Sequence, residues 1–351
     1  MNVLHLLSNK WWSGTERYAL DLATTLRRRG HHVEVFTRGF EAVYAPFAKE
    51  DLWAGKLRLG GWWDVVSRVS LANRLNHLQG RTIVHTYNLN DVAVAVAARR
   101  LCRRPEQVRV VLTNRSATPL PDNPSTASLL AMLDAIVFKS AQALKAAGKV
   151  PAAKRCAVVP TSVLAPMRSV TPFEPTVPQI IYARRIAPGK GLEVLIQALG
   201  TLKSLDWRLA VCGTGLGRYV MPAVRLARAL DINDRIQWLG HVDDIYPEMQ
   251  KSRIAVVPDT QPCGTRMAVL EALSQGVAVV MSDAGDEDLK VDTQALTFPA
   301  GDSVALADAL RSLISNAEQR ANIATSGYRQ FITACDYAKM VDLIEEIYNE
   351  C

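Results

Sequence analysis

The 351-residue sequence predicts an α/β protein made of two doubly wound, parallel-sheet domains. Three observations carry that expectation. Short apolar stretches rich in β-branched residues alternate with amphipathic helical stretches along most of the chain, which is the pattern of βαβ units. The alternation breaks once, around Val163–Gln179, where Pro166, Pro172, Pro175 and Pro178 are too many for a helix or a central strand, and then restarts. The length also exceeds one ordinary core, so two domains of about 150 residues each are expected.

The elements follow in order. Asn2–Leu7 reads as the first strand, Thr15–Arg29 as a helix and Val33–Thr37 as a β-branched strand. Arg81–His85, Val108–Thr113 and Ala135–Phe138 are further strands, with Asp91–Leu101 helical between the first two. This gives a first domain over residues 1–165 and a linker over 166–178. The second domain, over 179–334, carries strands at Gln179–Ala183, Arg208–Cys212, Ile236–Leu239, Ile254–Pro258 and Val277–Met281. Its helices fall at Leu192–Thr201, Met221–Leu230 and Val269–Gln275. Amphipathic helices near Val304–Ser315, Ala317–Gln330 and Tyr337–Tyr348 close the chain.

Bulk properties narrow the function. At 49% hydrophobic and 21% charged the chain is globular, and no apolar run approaches the roughly 20 residues of a spanning helix. Met1–Leu7 lacks a basic lead-in and a small-residue cleavage site, so a cytoplasmic protein is expected. Cys102, Cys156, Cys212, Cys263, Cys335 and Cys351 form no Cys-x-x-Cys pair, which argues against a zinc cluster or a disulfide framework. Charge is uneven: residues 1–168 hold 24 Lys+Arg against 11 Asp+Glu, a net +13, and the remainder carries −6. Arg27-Arg28-Arg29, Arg99-Arg100 and Arg103-Arg104 lie in the basic part. Such a field favours an anionic partner such as a membrane surface or a phosphorylated lipid. No nucleic-acid motif accompanies it, so nucleic acid is not expected.

Parallel sheets bind ligands where strand ends lead into helix N-termini, and three such places carry suitable residues. Ser13-Gly14-Thr15-Glu16 opens the first helix; Gly14 lets the backbone approach an anion closely, although a Ser-Gly start also serves plain capping. Arg184-Arg185-Ile186-Ala187-Pro188-Gly189-Lys190-Gly191 leaves the first strand of the second domain. There Arg185 is suited to clamp a diphosphate bidentately and Lys190 adds a point charge, against the alternative of a solvated basic turn. Cys212-Gly213-Thr214-Gly215-Leu216-Gly217 lacks the third glycine of a dinucleotide fingerprint and reads as an ordinary strand–helix junction. The third place is Pro258–Gly276, where Thr265, Arg266 and Met267 fall at a helix N-terminus able to hold phosphate. Glu271, two turns in, is either a solvated face residue or an acceptor for a ribose diol.

Together these motifs resemble the retaining glycosyltransferases of the GT-B fold, in the group one family (family four), over nearly the whole chain. Arg184-Arg185-Ile186 through Lys190-Gly191 resembles the family's Gly-Arg-Leu-x-x-x-Lys-Gly turn, and Pro258–Gly276 its Glu-x7-Glu segment. The resemblance implies two Rossmann-like domains facing a cleft, with the last helix, 335–351, crossing back to the first domain. It implies that Arg185 and Lys190 bind the donor diphosphate and that Glu271 binds the ribose. His241 and Val242, in Leu239-Gly240-His241-Val242, would meet the base, and Gly14 a donor phosphate. Cys263, Gly264, Thr265, Arg266 and Met267 fall on the donor segment. Pro299-Ala300-Gly301-Asp302 and the helix after it match the family's last section. Five positions depart from the pattern: Cys263 replaces the first glutamate, Arg184 a glycine, Thr161-Ser162 an Asn-Gly, and Arg115 a histidine.

The implied reaction takes a sugar from a nucleotide-diphosphate donor to a cell-envelope glycan or lipid-linked acceptor. Arg185, Lys190 and Arg115 are its expected catalytic residues, retention its outcome, and no cofactor or metal is expected. Asp243-Asp244 reads as helix capping. The paired Trp11-Trp12 and Trp62-Trp63 mark the first domain. The second pair precedes Asp64–Leu78 with its Arg68 and Arg74 and suits a membrane surface or an amphiphilic acceptor; plain helix packing is the alternative. The protein is thus expected in the cytoplasm, peripheral at the inner face of the membrane. Cys263 favours a rival reading, a GT-B protein that binds nucleotide or sugar with impaired transfer. A dinucleotide oxidoreductase is disfavoured by the missing fingerprint.

Overall fold

The computed structural model describes residues 1–115, 120–148, 155–166, 177–261, 266–285 and 293–351. They form two compact units: 1–161 with 337–351, and 162–336.

The first unit runs β1 (Asn2–Leu7), α1 (Gly14–Arg28), β2 (His32–Thr37), α2 (Glu41–Lys49), β3 (Trp53–Lys56), α3 (Val65–His77) and β4 (Thr82–Thr86). It continues through α4 (Leu89–Leu101), β5 (Val108–Asn114), α5 (Pro124–Leu130), β6 (Ala135–Phe138), α6 (Ala141–Ala146) and β7 (Arg155–Val158). The sheet order is β3-β2-β1-β4-β5-β6-β7, and every paired neighbour is parallel. Parallel strands are covered on both faces, so central ones read as continuous apolar runs: β1 buries Val3 through Leu7, and β4 buries all its residues. α4 is apolar on nearly every side, and Asp91 through Ala98 are buried.

The second unit comprises β8 (Gln179–Ala183), α7 (Leu192–Gly200), β9 (Arg208–Cys212), α8 (Gly217–Ala229), β10 (Ile236–Gly240), α9 (Tyr246–Lys251) and β11 (Ile254–Val257). It ends with α10 (Met267–Ser274), β12 (Ala278–Ser282), β13 (Leu296–Phe298), α11 (Ser303–Ser315) and α12 (Ala317–Ala334). Its sheet order is β10-β9-β8-β11-β12-β13, again parallel throughout. The closing helix α13 (Tyr337–Glu350) belongs to the first unit. Its Tyr348 hydroxyl bonds His85, Arg81 donates to the Tyr348 and Cys351 carbonyls, and Tyr337 meets Thr25 at 3.2 Å.

The central strands lie where the apolar runs put them. The structure adds β3, β7 and β13, and the helices α2, α5 and α6. β3 and β7 are sheet edges, four residues long with exposed positions, so they lack the apolar run that announces a central strand. α2 has Pro46 inside it and no side-chain cap, two features that argue against a helix in sequence. Of the expected linker, residues 167–176 lie outside the described residues. Just before it, Leu164 and Pro166 are held by the second unit, their carbonyls accepting from the Tyr246 hydroxyl and the Gln275 amide.

Each sheet order reverses direction once, between β1 and β4 and between β8 and β11. Those switch points, at the carboxyl ends of the strands, are where such sheets hold ligands.

Candidate functional site

In the second unit, the loop that leaves β8 is fixed before any side chain is considered. Arg184 N donates to Cys212 O at 3.0 Å and Ile186 N to Thr214 O at 2.8 Å. The buried Tyr182 hydroxyl donates to Lys190 O at 3.2 Å. Gly191 sits at φ +69°, and a Cβ there would lie 1.7 Å from Pro258 O. Only glycine lets the β8 loop rest against the loop after β11. At Gly213 a Cβ would lie 1.8 Å from Arg184 O. The glycines after β9 therefore serve loop-against-loop packing, which accounts for the partial fingerprint.

Across this switch point lies Asp259, which is fully buried. Its carboxylate meets Arg184 Nη2 at 2.9 Å, Lys190 Nζ at 2.8 Å and Arg266 Nη1 at 3.8 Å. One negative charge among three cations leaves a surplus of positive charge. Arg185 is exposed beside them; its carbonyl accepts from the Tyr182 hydroxyl, and its guanidinium adds to that surplus. Coulomb attraction in a partly desolvated site is far stronger than in bulk water. The arrangement is therefore suited to an anion with two or more charges.

One of these residues escaped the sequence reading. Asp259 carries no motif; its only signal is a lone acid directly after a strand, facing a loop with three cations. Arg184, noted as a departure from glycine, is accounted for by its pairing with Asp259. Arg266 was expected to offer its backbone amide. Its side chain is buried as well, donating to Ser282 O at 3.1 Å and to Val257 O at 3.4 Å, so it ties the start of α10 to β11 and β12.

The other expected donor residues take these places. Met267 opens α10 and is buried, and Glu271 is 9% exposed on the same helix. His241 is largely exposed, its Nε2 3.2 Å from Asp243 Oδ1, and Val242 is half-buried at the end of β10. Asp244 accepts from Tyr246 N at 3.1 Å, at the start of α9. Cys263, Gly264 and Thr265 lie outside the described residues.

The first unit's switch point has another character. Ser13 is the N-cap of α1: its hydroxyl accepts from Thr15 N at 3.3 Å and donates to Glu16 Oε2 at 2.5 Å, and Asn9 donates to Glu16 Oε1 at 2.5 Å. Ser13-Gly14-Thr15-Glu16 thus works as a capping box, with Gly14 as the first helical residue. Across from it, Asn88 caps α4 through Asp91 N at 3.0 Å, and its amide donates to Asp91 Oδ2 and Ser8 Oγ. Burial pushes the Glu16 carboxyl up, and pushes that of Asp91 well up.

Beneath these caps lie stacked aromatic rings. His5 Nδ1 meets the Tyr87 hydroxyl at 2.8 Å, and His85 bridges the Tyr348 and Thr113 hydroxyls. Burial lowers the His5 pKa from 6.5 to about 3, and burial followed by the neighbouring His5 lowers that of His85 well below 6.5. Arg115, just past β5, lays its guanidinium 4.4 Å over the Tyr18 ring and reaches Thr161 Oγ1 at 3.5 Å. Burial pushes the Tyr18 hydroxyl up to about 12. The structure thus gathers Arg185, Lys190, Arg266, Met267 and Glu271 in the second unit, and Gly14 and Arg115 around α1 in the first.

Residues 12–163 match the family described as Glycosyltransferase Family 4, and residues 177–316 match that described as Glycosyl transferases group 1. A phosphatidyl-myo-inositol mannosyltransferase of Mycobacterium leprae is 29% identical over 168 residues, which is 46% of this chain and 43% of that protein. The match thus spans less than half the length of that relative. HepE of Anabaena, solved with UDP and glucose, has a TM-score of 0.85 at 16% identity, covering 99% of each chain. A glycosyltransferase from Rickettsia africae has a TM-score of 0.80 at 18% identity, covering 99% of this chain and 98% of its own. The shared fold is GT-B.

Proposed function

The chain belongs to the group 1 glycosyltransferases, and we propose that it moves a sugar from a nucleotide-diphosphate donor to a cell-envelope glycan or lipid-linked acceptor. One observation carries this: the cationic surplus of Arg184, Arg185, Lys190 and Arg266 around Asp259, at the switch point of the second sheet. The names of the relatives agree with it. HepE was solved with UDP-glucose, and the mannosyltransferase is named for a lipid acceptor.

In this proposal Lys190 and Arg185 hold the diphosphate, with Asp259 keeping Lys190 in place. The N-terminus of α10, at Arg266 and Met267, serves the donor phosphates, and Glu271 accepts from the ribose hydroxyls. His241 and Val242 border the base, and Gly14 and Arg115 are the residues of the first unit proposed to serve the same reaction. As the bond from the anomeric carbon to the phosphate oxygen breaks, that oxygen gains charge, and preplaced cations stabilise it. Retention follows when the acceptor hydroxyl attacks from the same face and passes its proton to the departing phosphate oxygen. The cations meet the charge demand, so transfer proceeds without a divalent metal and survives chelator.

The protein acts on the cytoplasmic side, as a peripheral protein at an anionic membrane surface. No helix among the described residues is long and apolar enough to cross a membrane. A second reading, nucleotide or sugar binding with impaired transfer, is favoured by Cys263 at the place of the first glutamate. Thermal shift and turnover against a panel of UDP- and GDP-sugars separate the two, since a ligand that binds only the native state raises its melting temperature. Lys190→Ala should weaken donor binding about 10- to 100-fold, the worth of a charge-assisted hydrogen bond. Unchanged donor affinity in that variant would falsify the assignment.

A further inference from the structure

We propose that the first unit docks on an anionic lipid bilayer, with the Gly61–Trp63 turn and the start of α3 entering the interface and a rim of cations holding the head groups. This deepens the membrane part of the function proposed above and is independent of the donor site. The apolar element is unusually bare. Trp63 is 94% exposed, Val65 61% and Val66 62%, with Trp62 and Val69 beside them. A soluble surface rarely leaves so many large apolar side chains together, and tryptophan prefers the water–lipid boundary.

The position of the patch says what covers it. α3 buries Leu71, Ala72 and Leu75 inward, and farther along its outward face turns polar at Ser70, Asn73 and His77. The bare apolar part is thus confined to the start of the helix, next to the carboxyl end of β3. Strands β3, β2 and β1 are neighbours and parallel, so their carboxyl ends share one edge. The segments leaving that edge carry Lys10, Arg38, Lys56 and Arg58, and they touch: a Cβ on Gly39 would lie 2.7 Å from the Lys56 side chain. The acid within them, Asp64, is buried and spent on capping, accepting from Ser67 N and Gly60 N. The four cations outnumber the one exposed acid at that edge, Glu41 at the start of α2, and an apolar wedge beside a net-positive rim complements an anionic bilayer. A second copy of the chain would bring like charge against like, and a soluble glycan has no use for three bare valines.

The test is co-sedimentation of the full chain with phosphatidylcholine vesicles, with and without about a third phosphatidylglycerol. Binding should be at least about tenfold stronger to the anionic vesicles and fall with salt. Lys56→Ser with Arg58→Ser should weaken it by about fivefold per cation removed. Trp63→Ser with Val66→Ser should weaken it about tenfold or more. All four positions are on the surface, so each variant should keep the wild-type melting temperature. Equal binding to both vesicle types, or binding indifferent to both double variants, overturns the proposal. So does a dimer that the Trp63→Ser, Val66→Ser variant splits in sedimentation velocity, because the patch would then belong to a second copy. A nucleotide-induced thermal shift measured alongside keeps the two readings apart: its absence in a protein that binds vesicles sinks the donor assignment and leaves the docking intact.

Discussion

The two switch points have the same topology and opposite electrostatics. At β8 and β11 a buried carboxylate is surrounded by cations, with Asp259 contacting Arg184, Lys190 and Arg266. At β1 and β4 burial pushes the carboxyls of Glu16 and Asp91 toward their protonated forms and the imidazoles of His5 and His85 toward their neutral forms. The fold thus places ligand-facing loops in both halves, while charge decides what each can take. The second unit is built to meet an anion. In the first, burial disfavours the charged forms of the groups under the switch point, and Arg115 lies over the Tyr18 ring beside them.

Replacing a carboxylate at each point tests the contrast directly. Asp259→Ala should cost the most, about 3–5 kcal/mol, because it strands buried cations without their counter-charge; urea denaturation reads this. Asp91→Asn should cost about 1 kcal/mol or less, since an amide replaces a carboxyl that burial already disfavours as an anion. Similar losses at both positions would erase the distinction. Between these, Tyr348→Phe should cost about 1–3 kcal/mol, leaving the buried His85 Nδ1 without its partner.

The pH dependence is the finest test. A histidine whose folded pKa lies below its unfolded value contributes stability that is complete above about pH 6.5 and declines as pH falls toward the folded value, about 3 for His5. Glu16 and Asp91 act oppositely, because their raised folded pKa values give stability that is present in acid and lost as pH rises through those values. Between pH 6.5 and 5 each ring held neutral contributes a fall of up to about 1.4 kcal/mol per pH unit. His5→Gln should therefore flatten the fall in urea midpoint between pH 7 and 5; a slope equal to wild type would mean that His5 is not held neutral.

Much of this was legible in the chain. Apolar runs located the central strands of both sheets, and the strand–turn–helix spacing located the loop carrying Arg185 and Lys190 and the helix carrying Glu271. The edge strands β3 and β7 were hidden because half-exposed strands need no apolar run. Asp259 was hidden because a buried acid is recognised by the cations around it, and the two nearest, Arg184 and Lys190, come from the loop after β8, more than sixty residues away. Ser13-Gly14-Thr15-Glu16 shows the converse: a visible motif whose side chains turn out to cap a helix.

The sequence by itself determined the class of fold, the repetition of one topology in two halves, and the uneven charge, because periodicity and composition are local properties that survive without a third dimension. Only the tertiary structure decided which charges meet. Pairing Arg184 with Asp259, stacking His5 against His85 beneath Tyr348, and leaving Trp63 bare all depend on contacts between distant segments. Burial and Coulomb energy follow from distances in space and are not encoded in the order of residues.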